Sequence, residues 1–112
     1  MVNGRRRFID SGAQVTAICT GSDVMALGEL EGIRESGVRV PEDLSVVGFN
    51  DILHARFTSP GLTTINVSYR LMGAEAARMI LDRLAGRKTP PQQIFVKPRL
   101  VARDSTAPVH ST

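Results

Sequence analysis

Apolar residues recur along this chain in two rhythms. VTAIC (15–19), LSVVGF (44–49) and LTTINV (62–67) are short runs bounded by polar or turn residues, and they predict strands. Between the first two runs, Met25, Ala26, Leu27, Leu30 and Ile33 fall on one face of a helix from Val24 to Ser36. Ser22 or Asp23 can cap its start and Gly37 can end it. Ser68 can cap a longer helix, Tyr69 to Ala85, whose Met72, Ala76, Met79, Ile80 and Leu84 form an apolar stripe closed by Gly86. The methionines read as core, not as a cofactor box.

The rest of the chain is less regular. Arg5 to Ser11 predicts the end of a short helix, with Gly12 as its left-handed closing residue. VRVPED (38–43) is a connection, because Pro41 has no amide hydrogen and turns Val40 away from helix. ILHARFTSPG (52–61) predicts a short helix or turn broken at Pro60-Gly61. QIFVKPRLVAR (93–103) alternates like one strand interrupted at Pro98. The tail after Asp104 is expected to fray.

Strand, helix, strand with short loops is the βαβ unit, so the predicted class is α/β with a parallel sheet. Two polar pairs, Ser22-Asp23 and Asn50-Asp51, then fall at the carboxyl edge of that sheet, where open α/β sheets bind ligands. Composition fits one soluble globular domain: 112 residues, 42% hydrophobic and 22% charged. The formal charge of +3 is scattered apart from Arg5, Arg6 and Arg7, a cluster open to weak phosphate contact but without interleaved aromatics. Cys19 is the only cysteine, which excludes an internal disulfide and CxxC chemistry and suits a reducing cytoplasm. No apolar stretch reaches signal-peptide or transmembrane length, so no membrane partner is expected.

Catalytic chemistry finds little support. Asp51 and His54 are three apart and could pair on a helix, but no serine sits in a GxSxG elbow, and the reading is not an enzyme. His54 and His110 do not make a zinc site, and neither GxGxxG nor GxxxxGK[ST] occurs, so no metal or cofactor is expected. Asn50 and Ser22 suit a hydroxyl-rich ligand, since they offer donors and acceptors without reactivity. The plainer alternative is that Ser22 caps its helix and Asn50 makes a turn.

Taken together, TGSDVMALGELEGIRESGVRVPEDLSVVGFND, SPGLTTI and PRLVARDSTAP closely resemble the C-terminal part of LacI/GalR-type bacterial transcriptional regulators, over roughly residues 13 to 108. The resemblance implies an incomplete, periplasmic-binding-protein-like fold, in which two α/β lobes enclose a sugar or nucleoside behind a DNA-binding headpiece. Residues 13–66 and 93–108 would form the C-terminal lobe. Residues 67–92, a helix and loop, would pack on an N-terminal lobe absent here, as is the helix-turn-helix headpiece. Ser22 and Asp23 sit where the family has Asn-Asp at the cleft, and Asn50 where many members place a ligand-gripping aspartate; with Asp51 these are the implied ligand residues. Leu27 and Glu31, with Arg56, Phe57 and Thr58, match the surface through which the lobes dimerise.

The function this implies is effector binding and dimerisation in a cytoplasmic regulator, with operator DNA reached only through the missing headpiece. A periplasmic-type sugar-binding transport protein is the alternative, although such proteins tend to continue Gly-Phe-Asp-Gly and lack the SPGLTT and RDSTAP stretches. A small α/β hydrolase or phosphotransfer domain ranks last, for want of a nucleophile elbow or acidic cluster. With its partner lobe absent, the Met72, Met79 and Ile80 stripe is expected to be exposed, so that the chain is either a truncated piece or an obligate oligomer, domain swapping included.

Overall fold

The computed structural model describes residue 12 and residues 14–110. The predicted helix end at Arg5–Ser11 and the Arg5–Arg7 cluster lie outside the described residues. Gly12 does take the left-handed conformation expected of it, at φ +69°.

Strand β1 (Ala17–Cys19) leads into helix α1 (Asp23–Glu35) and returns as β2 (Ser45–Val47), parallel to β1 with Ile18 opposite Val46. A short 3-10 helix (Leu53–Arg56) follows, then β3 (Thr64–Asn66), helix α2 (Tyr69–Leu84) and β4 (Arg99–Val101), which runs antiparallel to β3. Parallel bridges Val47 to Thr63 and Asn50 to Asn66 join the two ladders, so β2 has neighbours on both sides. Its backbone shows this alternation directly. Ser45 N–H donates to Thr16 on the β1 side, whereas Gly48 and Asn50 donate to Thr63 and Ile65 on the β3 side, each at 2.9 Å.

Both helix caps follow the chemistry of the sequence. Ser22 Oγ accepts from Met25 N–H at 3.2 Å at the start of α1, and Ser68 Oγ accepts from Leu71 N–H at 3.3 Å at the start of α2. Gly37 and Gly86 close them with positive φ. The core lies between α1, β2 and the segment after it: Ala26, Ile33, Leu44, Val46, Ala55 and Leu62 are buried, with Val15, Ile18, Leu30, Val38, Val40 and Ile52 packed around them.

Four expectations need correction. Met25 is not core; it is 56% exposed, because Ala26 and Ile33 face inward and Met25 stands beside that line. The core reading of the α2 methionines fails too, whereas the exposed stripe that the resemblance implied is what is seen: the helix buries no residue, and Met72, Ile80 and Leu84 are exposed. The run 93–103 is a strand only at Arg99–Val101, since Pro98 lacks the amide needed to extend the ladder and the residues before it have no partner strand.

The fourth correction is the largest, because the tail after Asp104 does not fray. Ser105 is 0% exposed; its Oγ donates to Val46 O at 2.6 Å and accepts from Thr63 N–H at 2.8 Å. Val46 N–H in turn donates to Ser105 O at 2.8 Å, and Ala107 exchanges hydrogen bonds with the Ser45 hydroxyl. The segment thus takes the place of a strand where β2 and β3 diverge, covering backbone groups that burial would otherwise leave unpaired. Ser105→Ala is therefore expected to cost about 2 kcal/mol, because Thr63 N–H and the Val46 carbonyl lose their buried partner. Urea unfolding followed by circular dichroism measures this, and a loss too small to detect would contradict the bridging role.

Candidate functional site

The carboxyl edge of β1 and β2 is where the polar pairs meet, and the structure sorts them. Asp23 N–H donates to Phe49 O at 2.8 Å, which draws the start of α1 against the residues following β2. The Asp23 side chain is wholly buried beneath them. Its Oδ2 accepts from Ile52 N–H at 2.8 Å and its Oδ1 from the Thr64 hydroxyl at 2.5 Å. A side chain at Gly48 would collide with that same carboxylate, so the glycine is required for close approach. An acid in the first turn also faces the positive end of α1.

Asp51 is spent in a similar way. Its side chain is 3% exposed, with Oδ1 held by Arg103 Nη2 at 2.7 Å and Oδ2 by Asn66 Nδ2 at 2.8 Å. Burial pushes the Asp51 carboxyl up, but the hydrogen bonds from Arg103 and Asn66 and the charges of Arg103 and Arg56 outweigh it and hold the group below its ordinary value. The two acids expected at the ligand thus both turn their carboxylates into the fold, toward protein partners. The Asp51 oxygens are taken by Arg103 and Asn66, not by His54, in keeping with the weak support that pair had in the sequence.

Ser22 and Asn50 remain at the edge. Ser22 is half-buried and caps α1. Asn50 is half-buried, and its Nδ2 donates to the Tyr69 hydroxyl. Tyr69, the first residue of α2, was missed by the sequence reading; the signal available was its place directly after the Ser68 cap, where α2 leaves β3. Among the described residues no group of three or more His, Cys, Asp or Glu is placed to hold a metal, and no helix is long and apolar enough to cross a membrane.

A groove of about 660 Å³ opens away from this edge, on the outer face of α1. Leu27, Glu31 and Thr58 line it, with Leu30, Val38 and Pro60 among its other walls. Arg56 and Phe57, grouped with them from the sequence, are not in its lining; Phe57 projects beside it and is 78% exposed.

A family model described as the periplasmic binding protein-like domain matches residues 2–106. The chain belongs to that family. It is 44% identical over 92 residues to the HTH-type transcriptional repressor PurR of Escherichia fergusonii, covering 82% of this chain. The same identity and coverage hold for PurR of Yersinia enterocolitica. The chain spans 27% of the length of these repressors.

Solved structures agree on the fold. A LacI-type regulator from Bifidobacterium animalis superposes with a TM-score of 0.86 at 33% identity, covering 95% of this chain and 38% of that one. The CelR–cellobiose complex gives 0.86 at 38% identity, over 93% of this chain and 32% of that one. The lac repressor dimer bound to operator gives 0.83 at 33% identity, over 94% and 36%. The βαβ unit read from the sequence is thus part of a periplasmic-binding-protein-like fold.

Two predictions follow from the inward-facing acids. Asp23→Ala is expected to lose about 3 kcal/mol, since Ile52 N–H and the Thr64 hydroxyl are left buried without an acceptor; denaturant titration checks this, and a value under about 1 kcal/mol counts against a central role. For Asp51, a lowered folded pKa means its contribution to stability is complete above the ordinary carboxylate range and is lost as pH falls through the folded value. Asp51→Asn should flatten that acid limb of the stability–pH curve and leave the neutral limb's slope unchanged.

Proposed function

We propose that this chain is the effector-sensing part of a LacI-type transcriptional regulator and that its effector is a neutral, hydroxyl-rich molecule such as a sugar. The observation that carries the reading is the pairing of Asn50 with Tyr69 at the sheet edge while both neighbouring acids face inward. What this edge offers a ligand is uncharged: an amide, the Ser22 hydroxyl and a phenol on a half-exposed aromatic ring. Amides and hydroxyls match sugar hydroxyls in donor and acceptor capacity, and an aromatic face suits the apolar face of a sugar ring. Related structures carry cellobiose, ribose in a regulator from Enterococcus faecium and lactose in one from Arthrobacter, which supports the sugar class for this site.

In such a regulator, ligand bound between the lobes shifts the balance between DNA-binding and non-binding arrangements, a coupling between two sites. Residues 13–66 and 93–108 act as the C-terminal lobe in this proposal, and α2 with its following loop reaches toward the other lobe. The groove bearing Leu27, Glu31 and Thr58, flanked by Arg56 and Phe57, is the homodimer face. The dimeric state of the related lac repressor supports it. A location in the cytoplasm goes with this reading, since operator DNA is there.

A thermal-shift screen of ribose, cellobiose and lactose against a panel of nucleosides tests the ligand class. A sugar at about 100 times its Kd should stabilise the protein by about 2.7 kcal/mol, and Asn50→Ala should abolish that gain. Stabilisation by nucleosides alone would sink the sugar reading. For the dimer face, Leu27→Arg is expected to shift sedimentation toward monomer without loss of helix content, because a longer, charged side chain would replace the leucine on the groove wall that the partner copy covers.

A further inference from the structure

Asn50 and Asp51 are consecutive non-glycine residues with φ of +113° and +56°. Left-handed backbone strains a residue that carries a side chain, so two in succession persist only where surrounding contacts over-determine them. The groups that do so can be named. Asn50 N–H donates to Ile65 O at 2.9 Å, and the following Ile52 N–H is fixed by Asp23. Asp51 itself is gripped from outside its own neighbourhood. Arg103, 52 residues further along the chain, places Nη2 on Asp51 Oδ1 at 2.7 Å and Nη1 on the Leu62 carbonyl at 2.8 Å, while its backbone N–H donates to Thr63 Oγ1 at 3.0 Å.

We propose that Arg103 is a positioning residue for the effector site: by clamping Asp51 to the β3 side, it holds the left-handed Asn50-Asp51 corner and so aims the Asn50 amide at Tyr69 and the ligand. This rests on the effector reading above. Two features favour aim over simple stabilisation. The guanidinium fork satisfies a carboxylate and a carbonyl that lie in different directions, which one ammonium point charge does not reproduce. A buried ion pair, moreover, contributes little net stability compared with packed apolar residues, because desolvating two charges offsets their attraction. What this pair adds is direction, at the one place on the sheet edge where the backbone would otherwise relax.

The position of Arg103 makes the clamp part of the fold's closure. It immediately precedes Asp104 and Ser105, whose amides both donate to Gly61 O, at 3.0 and 2.9 Å. The segment that covers β2 therefore also delivers the guanidinium beneath the corner. Asn66 completes the arrangement by taking the second Asp51 oxygen.

The test uses the isotope-labelled chain without ligand and reads the nuclear Overhauser contact between the Asn50 side-chain amide and the Tyr69 ring. Arg103→Met should lose this contact, and Arg103→Lys should weaken it. The double variant Arg103→Met with Asp51→Gly separates aim from stability, because it removes the orphaned carboxylate and lets glycine take the left-handed backbone without strain. Its melting temperature should recover toward that of the parent while the Asn50–Tyr69 contact stays lost. Persistence of the contact in Arg103→Met, or its return together with the melting temperature in the double variant, would overturn the proposal. Should Arg103→Met fail to fold, Arg103→Lys and the double variant carry the same readout. Sugar titration of the unmutated chain is a separate arm, so its failure speaks against the effector reading and not against the clamp.

Discussion

The structure turns on one buried carboxylate. Asp23 ends the loop after β1, starts α1, and accepts from both Ile52 N–H and the Thr64 hydroxyl, so three segments distant in sequence meet at two oxygens. A charge taken out of water is costly unless hydrogen bonds replace its hydration. Here a backbone amide, a hydroxyl and the positive end of α1 supply that replacement. Gly48 is the corollary, because only a residue without a side chain leaves room for the carboxylate against β2. The edge that would meet a ligand is shaped by this contact before any ligand is considered.

The same contact explains why acidic residues at the sheet edge do not make an acidic site. Asp23 and Asp51 both look available in the sequence, one at the end of each parallel strand. Folding turns each of them inward, Asp23 toward β3 and Asp51 toward Arg103 and Asn66. Ser22, Asn50 and Tyr69 are left, all uncharged. Specificity at such an edge comes from hydrogen-bond geometry, which makes the fixed direction of the Asn50 amide matter more than local charge.

Elements whose signals are local were legible in the sequence. The β1–α1–β2 unit, both serine caps and the closing glycines were all readable, because periodicity and capping depend on residues within a turn or two. Ser22 and Asn50 were placed at the correct edge for the same reason. Long-range partners were not readable. Nothing around Ser105 announces that its hydroxyl will bridge Val46 and Thr63, and a polar segment ending in Ser-Thr-Ala-Pro looks like a frayed tail. Met25 was assigned to the core because it belongs to the apolar set of α1, yet the helix turns Ala26 and Ile33 inward and leaves it at the rim. The strand expected over 93–103 failed at Pro98, since alternation survives in sequence where no neighbouring strand exists to pair with it. The direction in which Asp23 and Asp51 point depends on Thr64, Asn66 and Arg103, so the sequence showed that these acids lie at the sheet edge but not which way they face.

Helix α2, unlike α1, buries none of its residues, so its folding rests on its Ser68 cap and its own ion pairs, Arg78 with Glu75 and Asp82, and Arg87 with Asp82. Exposed pairs of this kind contribute a few tenths of a kcal/mol each. Stability is thus expected to be concentrated around Asp23 and to fall off along α2. Native-state hydrogen exchange measures that distribution residue by residue. The Ile52 amide, donated to Asp23 Oδ2, is predicted to exchange only through global unfolding, while the amides in the middle of α2 exchange through cheaper local opening. Exchange at Ile52 as fast as in α2 would contradict the central place given to the Asp23 carboxylate.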